Sequence, residues 1–169
     1  MYGVFSLTVR EDGKKTLHIC KRNQITNEGR TAAVQLLNPY LSSVAQNENR
    51  IWSLAVGIDN TPPTLNDTAT QFDPSDSDVW TSPFSFEDGE CLTYASGDQY
   101  EVTITKVIPT GEATDMVVAE AGLLTRGTLD DPTESVNRKL YARQIHSPIT
   151  KTENMSIEYS WTLGFNVST

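Results

Sequence analysis

The sequence predicts a mainly β protein, an antiparallel β-sandwich or jelly roll with a single helix. The clearest indication is the segment 155–165, where large side chains occupy every second position. Since successive side chains of a strand point to opposite faces, this spacing gives one apolar face. A strand of this length needs partners for its backbone groups and a matching apolar surface to cover its inner face. The large residues are Met155, Ile157, Tyr159, Trp161, Leu163 and Phe165.

The N-terminal region predicts a β-hairpin. Residues 4–10 and 16–21 both alternate apolar with polar side chains, and the sequence Asp12-Gly13 lies between them. Both of these residues tolerate positive φ, which the tight turn of a hairpin requires.

The following segment predicts the one helix, at about residues 27–37. Thr26 is a suitable N-cap, and Glu28 lies in the first turn, where the helix dipole favours negative charge. Apolar residues then recur at helical spacing. They are Ala32, Ala33, Leu36, Leu37 and Tyr40.

The rest of the chain predicts further strands around one long loop. Strands are expected at 51–58, 100–104, 116–125, 139–146 and 155–165, with a turn at 147–153. The loop at 59–90 is rich in Thr, Pro and Asp, and a short strand is expected within it at 79–86. Loops of this length are uncommon without a function. The whole chain, 1–169, is expected to form a single β-sandwich domain with the polar part of this loop standing out from the body.

The charge distribution bears on the class of partner. The net charge is −9, and residues 51–105 contain ten carboxylates but no Lys, Arg or His. Such a surface repels phosphate, so nucleic acid is not expected as a partner. It suits a basic protein surface or divalent cations, or it simply keeps the protein solvated. No apolar run reaches the roughly 18 residues of a membrane helix, so no membrane partner is expected.

The residues that carry chemistry do not form a recognisable constellation. His18 and His146 lie in predicted strands without metal-ligand spacing, so no metal site, cofactor or catalytic residue is expected, and the protein is not expected to be an enzyme. Cys20 and Cys91 are expected to be buried free thiols, although a disulfide between them stays open.

Two sets of residues are nevertheless candidates for special roles. Glu120 lies in an apolar strand, where a carboxylate needs a partner, and Arg143 on another strand is the expected one. Trp80 lies in the acidic loop and is expected at an interface, since aromatic residues are enriched there. It is accompanied by three acidic residues that resemble a fragment of a calcium loop but lack its Gly and terminal Glu. These are Asp73, Asp76 and Asp78.

Several segments in order resemble a group of bacteriophage virion proteins, over roughly residues 23–165. The segments that carry the resemblance are Ile25-Thr26-Asn27-Glu28-Gly29-Arg30, Ala33 with Leu36-Leu37, Ala55-Val56-Gly57, the loop at 60–70, Glu120-Ala121-Gly122-Leu123-Leu124, Leu140-Tyr141-Ala142-Arg143, the turn at 148–151, and Trp161 with Phe165.

The resemblance implies a structural component of a phage particle with a β-sandwich body. The first expectation is a capsid decoration (cement) protein that binds the major capsid protein as a homotrimer, in virions assembled in the cytoplasm of a bacterial host. A tail, baseplate or fibre-attachment component is the alternative, because a fold does not assign a role. A carbohydrate-binding receptor module built on Trp80 is a third hypothesis.

Overall fold

The chain consists of two compact units, each built on one five-stranded antiparallel sheet. The computed structural model describes residues 2–36, 48–73, 76–84, 91–96, 99–126 and 138–166. The first unit comprises residues 1–23, 84–116 and 150–169, and the second comprises 24–83 and 117–149. The elements in chain order are β1 (Tyr2–Glu11), β2 (Lys14–Arg22), β3 (Gln24–Ile25), α1 (Asn27–Leu36), β4 (Ile51–Gly57), a 3₁₀ helix (Ala69–Phe72), β5 (Trp80–Pro83), β6 (Cys91–Ser96), β7 (Gln99–Ile108), β8 (Val117–Thr125), β9 (Leu140–Thr150) and β10 (Met155–Asn166).

The first sheet has the strand order β2-β1-β10-β7-β6, with β10 at its centre. The predicted C-terminal strand is therefore confirmed, and it pairs with β1 on one side and β7 on the other. Its residues Tyr159 and Trp161 are fully buried, together with Phe5 of β1. The ring centroids of Phe5 and Trp161 are 5.1 Å apart in an edge-on arrangement. An aromatic cluster thus forms the centre of this sheet's buried face.

The predicted N-terminal hairpin is confirmed. Glu11 of β1 pairs with Lys14 of β2. The two residues between them, Asp12 and Gly13, have φ values of 48° and 76°, as the tight hairpin turn requires. Cys20 of β2 is exposed and carries a free thiol, so the expectation that it is buried was wrong. The reason is that β2 is the edge strand of the sheet.

The second sheet has the strand order β3-β9-β8-β4-β5, and α1 begins against its strand β9. The hydroxyl of Thr26 accepts a hydrogen bond from the backbone N–H of Gly29 at 3.0 Å, as expected of an N-cap. The N–H of Thr26 donates to the carbonyl oxygen of Tyr141 at 3.2 Å. A Cβ atom on Gly29 would lie 2.1 Å from that oxygen, so only glycine allows the helix to approach the strand this closely. The predicted helix is confirmed up to Leu36, and residue 37 lies outside the described residues.

Two expectations about the second unit were wrong. A turn was predicted at 147–153, but β9 continues as a strand through Thr150 and includes Pro148. In the described chain β3 pairs only with Ala142 and Arg143, so that side of β9 is free at Pro148, and proline is accepted where no ladder partner needs its N–H. Ile58, expected as the last residue of the strand 51–58, lies just beyond β4 and is 48% exposed.

The long loop is partly ordered against the second sheet. A short strand was predicted at 79–86, and β5 is confirmed within this range, paired with β4. The 3₁₀ helix places Phe72 in the core, where it is 1% exposed. The expectation that the polar stretch stands out from the body was therefore wrong for this part of the segment, because it contributes an apolar anchor.

Two antiparallel sheets and one α-helix make up the regular structure of the described residues, as the predicted mainly β sandwich class requires. A single domain over 1–169 stays a prediction, and Glu90 and its neighbours at the end of the 59–90 loop lie outside the described ranges. None of the described helices combines the length and the apolar character needed to span a membrane.

Candidate functional site

The second unit contains a buried ion pair between two strands of its sheet. Arg143 lies on β9 and Glu120 on β8, which are neighbours in the sheet. The Nε–H of Arg143 donates to Oε2 of Glu120 at 2.7 Å. The exposed fractions of the two side chains are 0% and 2%. The structure thus brings together the two residues that the sequence suggested as partners.

Two further carboxylates approach the same guanidinium from the segment after β4. Nη1 of Arg143 donates to Oδ2 of Asp67 at 2.9 Å, and Nη2 donates to Oδ2 of Asp59 at 3.0 Å. Nη1 also donates to the carbonyl oxygen of Thr61 at 3.2 Å. We refer to Arg143, Glu120, Asp59 and Asp67 as the Arg143 cluster. The planar guanidinium of Arg143 donates to three groups of the segment after β4, namely the carboxylates of Asp59 and Asp67 and the carbonyl group of Thr61. A lysine side chain could not bind all three.

The segment that supplies these acceptors, residues 59–67, is also organised internally, and we call it the anchored segment. Asp59 accepts hydrogen bonds from the N–H and the hydroxyl of Thr61, both at 2.8 Å. Asp67 accepts hydrogen bonds from the N–H of Thr64 at 3.0 Å and from its hydroxyl at 2.6 Å. Each aspartate therefore closes a local turn and binds Arg143 at the same time.

The first residue of α1 provides a second attachment for the anchored segment. The N–H of Asn27 donates to the carbonyl oxygen of Leu65 at 2.8 Å. The Nδ2 of Asn27 donates to Oδ1 of Asn66 at 3.0 Å. Because α1 itself is fixed on β9, the anchored segment is connected to that strand through the helix and through Arg143.

Gly57 provides the space that Glu120 occupies. The two residues are directly opposite each other in the β4–β8 pairing. A Cβ atom at position 57 would lie 2.5 Å from Oε1 of Glu120. That oxygen accepts a hydrogen bond from the N–H of Asp59 at 3.2 Å. Any side chain at position 57 would therefore disturb the contact at which the anchored segment leaves β4.

The carboxylates of the cluster differ in the direction of their pKa shifts. The backbone N–H of Thr61 is the main cause that lowers the pKa of Asp59, and the charge of Arg143 adds to it. Burial acts to raise the pKa of Asp67, but hydrogen bonds from Thr64 and Arg143 together hold it below its usual value. Burial raises the pKa of Glu120, although Arg143 opposes this effect. The two aspartates are therefore the groups that keep the cluster charged as the pH falls.

This arrangement fixes a conformation. An arginine stays protonated at any physiological pH, so the guanidinium holds its three carboxylate partners throughout that range. Removing it would leave Glu120 as a buried carboxylate without its counter-charge. The chemical consequence of the cluster is that a polar surface segment is held on the sheet in one conformation.

Next along the chain, the 3₁₀ helix attaches the segment through apolar contacts. Phe72 packs over Gly122, where a Cβ atom would lie 2.6 Å from the phenyl ring. The buried cluster around Phe72 also contains residues of three strands. Its members are Ala55, Ala69, Phe72, Leu124 and Leu140.

The acidic residues singled out in the sequence follow this anchor and are exposed, and we call Asp73, Asp76 and Asp78 the acidic turn. The N–H of Asp76 donates to the carbonyl oxygen of Asp73 at 3.0 Å, and the N–H of Asp78 donates to Oδ1 of Asp76 at 3.0 Å. Trp80 begins β5, where it is half-buried and pairs with Val56. The acidic turn is thus held between the 3₁₀ helix and an edge strand.

The two histidines lie on strands of different sheets, His18 on β2 and His146 on β9. Nδ1 of His18 is 3.0 Å from the hydroxyl of Thr8 on the neighbouring strand. Nδ1 of His146 is 2.8 Å from the carbonyl oxygen of Ser147. Among the described residues there is no group of three or more His, Cys, Asp or Glu side chains arranged to hold a metal ion.

Sequence reasoning found one partner of Arg143 and missed the other two. Asp59 and Asp67 were assigned to an acidic surface, whereas they turn back to the sheet. The spacing Asp59-x-Thr61 and Thr64-x-x-Asp67 is typical of side-chain-capped turns and would have indicated that these aspartates are structural. Their contact with Arg143 crosses 76 or more positions of sequence, so no local pattern could reveal it.

Comparison with known proteins adds no family to this picture. No protein-family model, no curated protein and no solved structure matches the chain. The class defined by its fold is that of mainly β proteins with antiparallel sheets. The resemblance to phage virion proteins stays a prediction from the sequence.

Proposed function

We propose that this chain is a structural protein of a bacteriophage particle, and that it decorates the capsid as a cement protein. The observation that carries the proposal is the exposed acidic turn of the second unit, whose neighbouring segments are attached to the sheet. The acidic turn lies beyond a segment whose two aspartates, Asp59 and Asp67, bind one buried arginine, and next to a phenylalanine in the core. A binding surface that is ordered before binding loses less conformational entropy when a partner is bound.

The charge of this surface indicates the kind of partner. The three aspartates of the acidic turn are exposed, and residues 51–105 contain no Lys, Arg or His. A basic patch on the major capsid protein is the complementary surface. A protein that binds only the assembled shell stabilises it by mass action, and several linked copies strengthen the effect through their effective concentration.

The direct test of location is the number of copies in purified particles. Quantitative mass spectrometry of purified virions is expected to give a copy number that matches the lattice of the shell. A copy number that matches one small ring would contradict the capsid assignment and would favour a tail or baseplate component, the alternative expected from the sequence. Absence from the particles would contradict the whole proposal.

The test of the surface neutralises the acidic turn without disturbing its supports. The triple variant Asp73→Asn, Asp76→Asn and Asp78→Asn is expected to reduce binding to isolated capsid shells. Deletion of residues 66–78 is less informative, because it would also remove Asp67 from the Arg143 cluster and Phe72 from the core. The matched control changes Asp12→Asn, Glu112→Gln and Glu153→Gln, three exposed acids of the first unit. Equal binding by the two triple variants would exclude the acidic turn as the contact surface.

A further inference from the structure

The anchored segment presents an uncharged surface within an acidic region of the chain. Residues 60–66, with the sequence NTPPTLN, contain no charged side chain, and we call them the neutral tip. The aspartates on either side of the neutral tip, Asp59 and Asp67, both bind Arg143. The Arg143 cluster therefore turns the flanking carboxylates toward the sheet and leaves the uncharged residues between them at the surface.

The neutral tip is exposed and carries apolar groups. Pro63 is half-buried, and the other residues of the neutral tip, among them Pro62 and Leu65, are exposed. Ile58, which directly precedes the anchored segment, is exposed as well. The centre of a protein–protein interface is depleted of charged residues, whereas its rim is polar. The neutral tip has the composition expected of such a centre.

The conformation of the neutral tip is restricted before any partner binds. Proline fixes its own φ at about −65°, and the residue before a proline is confined to extended conformations, which applies to Thr61 and Pro62. The carbonyl oxygen of Thr61 accepts a hydrogen bond from Arg143 at 3.2 Å, and that of Leu65 accepts one from the N–H of Asn27 at 2.8 Å. An extended segment that is held near both ends loses little conformational entropy when it binds.

The anchored segment and the acidic turn join the second sheet at the same end. Strands β4 and β5 are antiparallel, and Val56 near the end of β4 pairs with Trp80 at the beginning of β5. The anchored segment follows β4, and the acidic turn ends two positions before Trp80. One end of this sheet therefore connects to an uncharged segment with apolar groups and to a row of carboxylates.

We propose that the neutral tip packs into an apolar groove of the major capsid protein, and that the basic patch that binds the acidic turn borders this groove. The inference rests on the proposed function and assigns separate roles to the two surfaces. Charges at the rim of an interface mainly change the rate of association and its dependence on salt. Differences in the contacts of an interface mainly change the rate of dissociation. The acidic turn therefore accelerates association, and the neutral tip prolongs the complex.

The test measures binding kinetics on isolated capsid shells. The tip variant combines Pro62→Ser with Leu65→Ser, which removes apolar groups and leaves every charge and every backbone carbonyl group of the segment in place. It is expected to dissociate about tenfold faster than the unchanged chain and to associate at a rate within about twofold of it. The triple variant of the acidic turn is expected to behave in the opposite way, with slower, less salt-dependent association and little change in dissociation.

The matched control removes apolar groups from the surface of the first unit. It combines Leu17→Ser with Val107→Ser, and the exposed fractions of these residues, 37% and 41%, are close to the 38% of Leu65. The control variant is expected to associate and dissociate at the rates of the unchanged chain. A circular dichroism spectrum shared by all variants verifies that each is folded.

The outcomes separate this inference from the proposed function. A tip variant that dissociates as slowly as the unchanged chain would overturn the inference and leave the proposed function standing. A control variant that dissociates as fast as the tip variant would also overturn it, because the effect would not belong to the neutral tip. An unchanged chain that does not bind the shells would contradict the proposed function, and the inference would be overturned with it.

Discussion

The two sheets of this protein are stabilised at their centres by different chemistry. The first sheet has a cluster of aromatic side chains, in which Phe5, Tyr159 and Trp161 are fully buried. The second has a fully buried arginine surrounded by three carboxylates. The first arrangement gains from removal of apolar surface from water and tolerates any pH. The second gains from charge and geometry, so it fails when one partner is removed or protonated.

The difference between the two buried clusters determines how each can hold a surface segment. An aromatic cluster makes non-directional contacts with any apolar group that covers it. A guanidinium forms directional hydrogen bonds, so it fixes the position of each acceptor. Arg143 therefore determines the path of the anchored segment as well as the stability of the sheet. The acidic turn depends on this path, which connects the internal chemistry of the second unit with its proposed function.

The largest expected effect is in the aromatic core. Trp161→Ala removes a fully buried indole and is expected to reduce the free energy of unfolding by about 4 kcal/mol. Chemical denaturation monitored by circular dichroism measures it. Trp161→Phe is the matched control and should cost much less, because the indole N–H has no hydrogen-bond partner among the described residues. Equal losses for both variants would contradict this account of the core.

Removal of the arginine at the centre of the second sheet is expected to cost about 3 kcal/mol. In Arg143→Ala, Glu120 stays buried without its counter-charge, and the anchored segment loses its main attachment. Arg143→Lys keeps the charge, but the lysine cannot bind all three carboxylates. The stability of this variant should therefore lie between that of the unchanged chain and that of Arg143→Ala. An Arg143→Lys variant as stable as the unchanged chain would show that charge alone is sufficient.

The space around Glu120 can be tested with a single methyl group. Gly57→Ala is expected to cost about 2 kcal/mol, since the added Cβ would lie 2.5 Å from Oε1 of Glu120 and would displace that carboxylate. Gly13→Ala is a useful contrast, because a Cβ atom there would have no other atom within 4 Å. Only the strain of an alanine at positive φ would destabilise that variant. If Gly57→Ala left the stability unchanged, the tight contact would have no energetic role.

Acidification should weaken the second unit selectively, and the effect is expected to be the smallest of the four. The pKa of Asp67 is lowered below its ordinary value of 3.8 in the folded chain. Its contribution is therefore present above pH 3.8 and is lost as the pH falls through the lowered value. Glu120 acts in the opposite direction, because its raised pKa makes its ionisation costly as the pH rises above 4.5.

The measurement compares the pH dependence of the free energy of unfolding in the unchanged chain and in Asp67→Asn. The variant should lose stability less steeply than the unchanged chain as the pH falls below 3.8. Identical slopes for the two proteins would mean that Asp67 has the same pKa in the folded and unfolded chains.

Local patterns were sufficient to predict most of the fold. Alternation predicted β10, Asp12-Gly13 predicted the hairpin, and Thr26 predicted where α1 begins, because each of these structures is determined by neighbours in sequence. The same reasoning failed at Pro148, where β9 continues beyond its pairing with β3, which in the described part of the chain ends at Arg143. Whether a strand edge is free depends on the topology of the sheet, which the sequence does not display.

The site was only half predictable for the same reason. Glu120 was conspicuous because a carboxylate in an apolar strand needs a partner, and an Arg on an adjacent strand, Arg143, was the candidate. Asp59 and Asp67 were not conspicuous, since they occur among many other acidic residues of the loop. Their function follows from distances of 3.0 and 2.9 Å to a guanidinium far along the chain.

The central claim is that Arg143 holds the anchored segment on the second sheet. Amide hydrogen exchange of the unchanged chain and of Arg143→Lys tests it most directly. The account predicts that the amides of Asp59, Thr61 and Thr64 lose protection in the variant, while that of Tyr159 in the first sheet keeps its protection. Unchanged protection of the three amides, or an equal loss at Tyr159, would contradict the account.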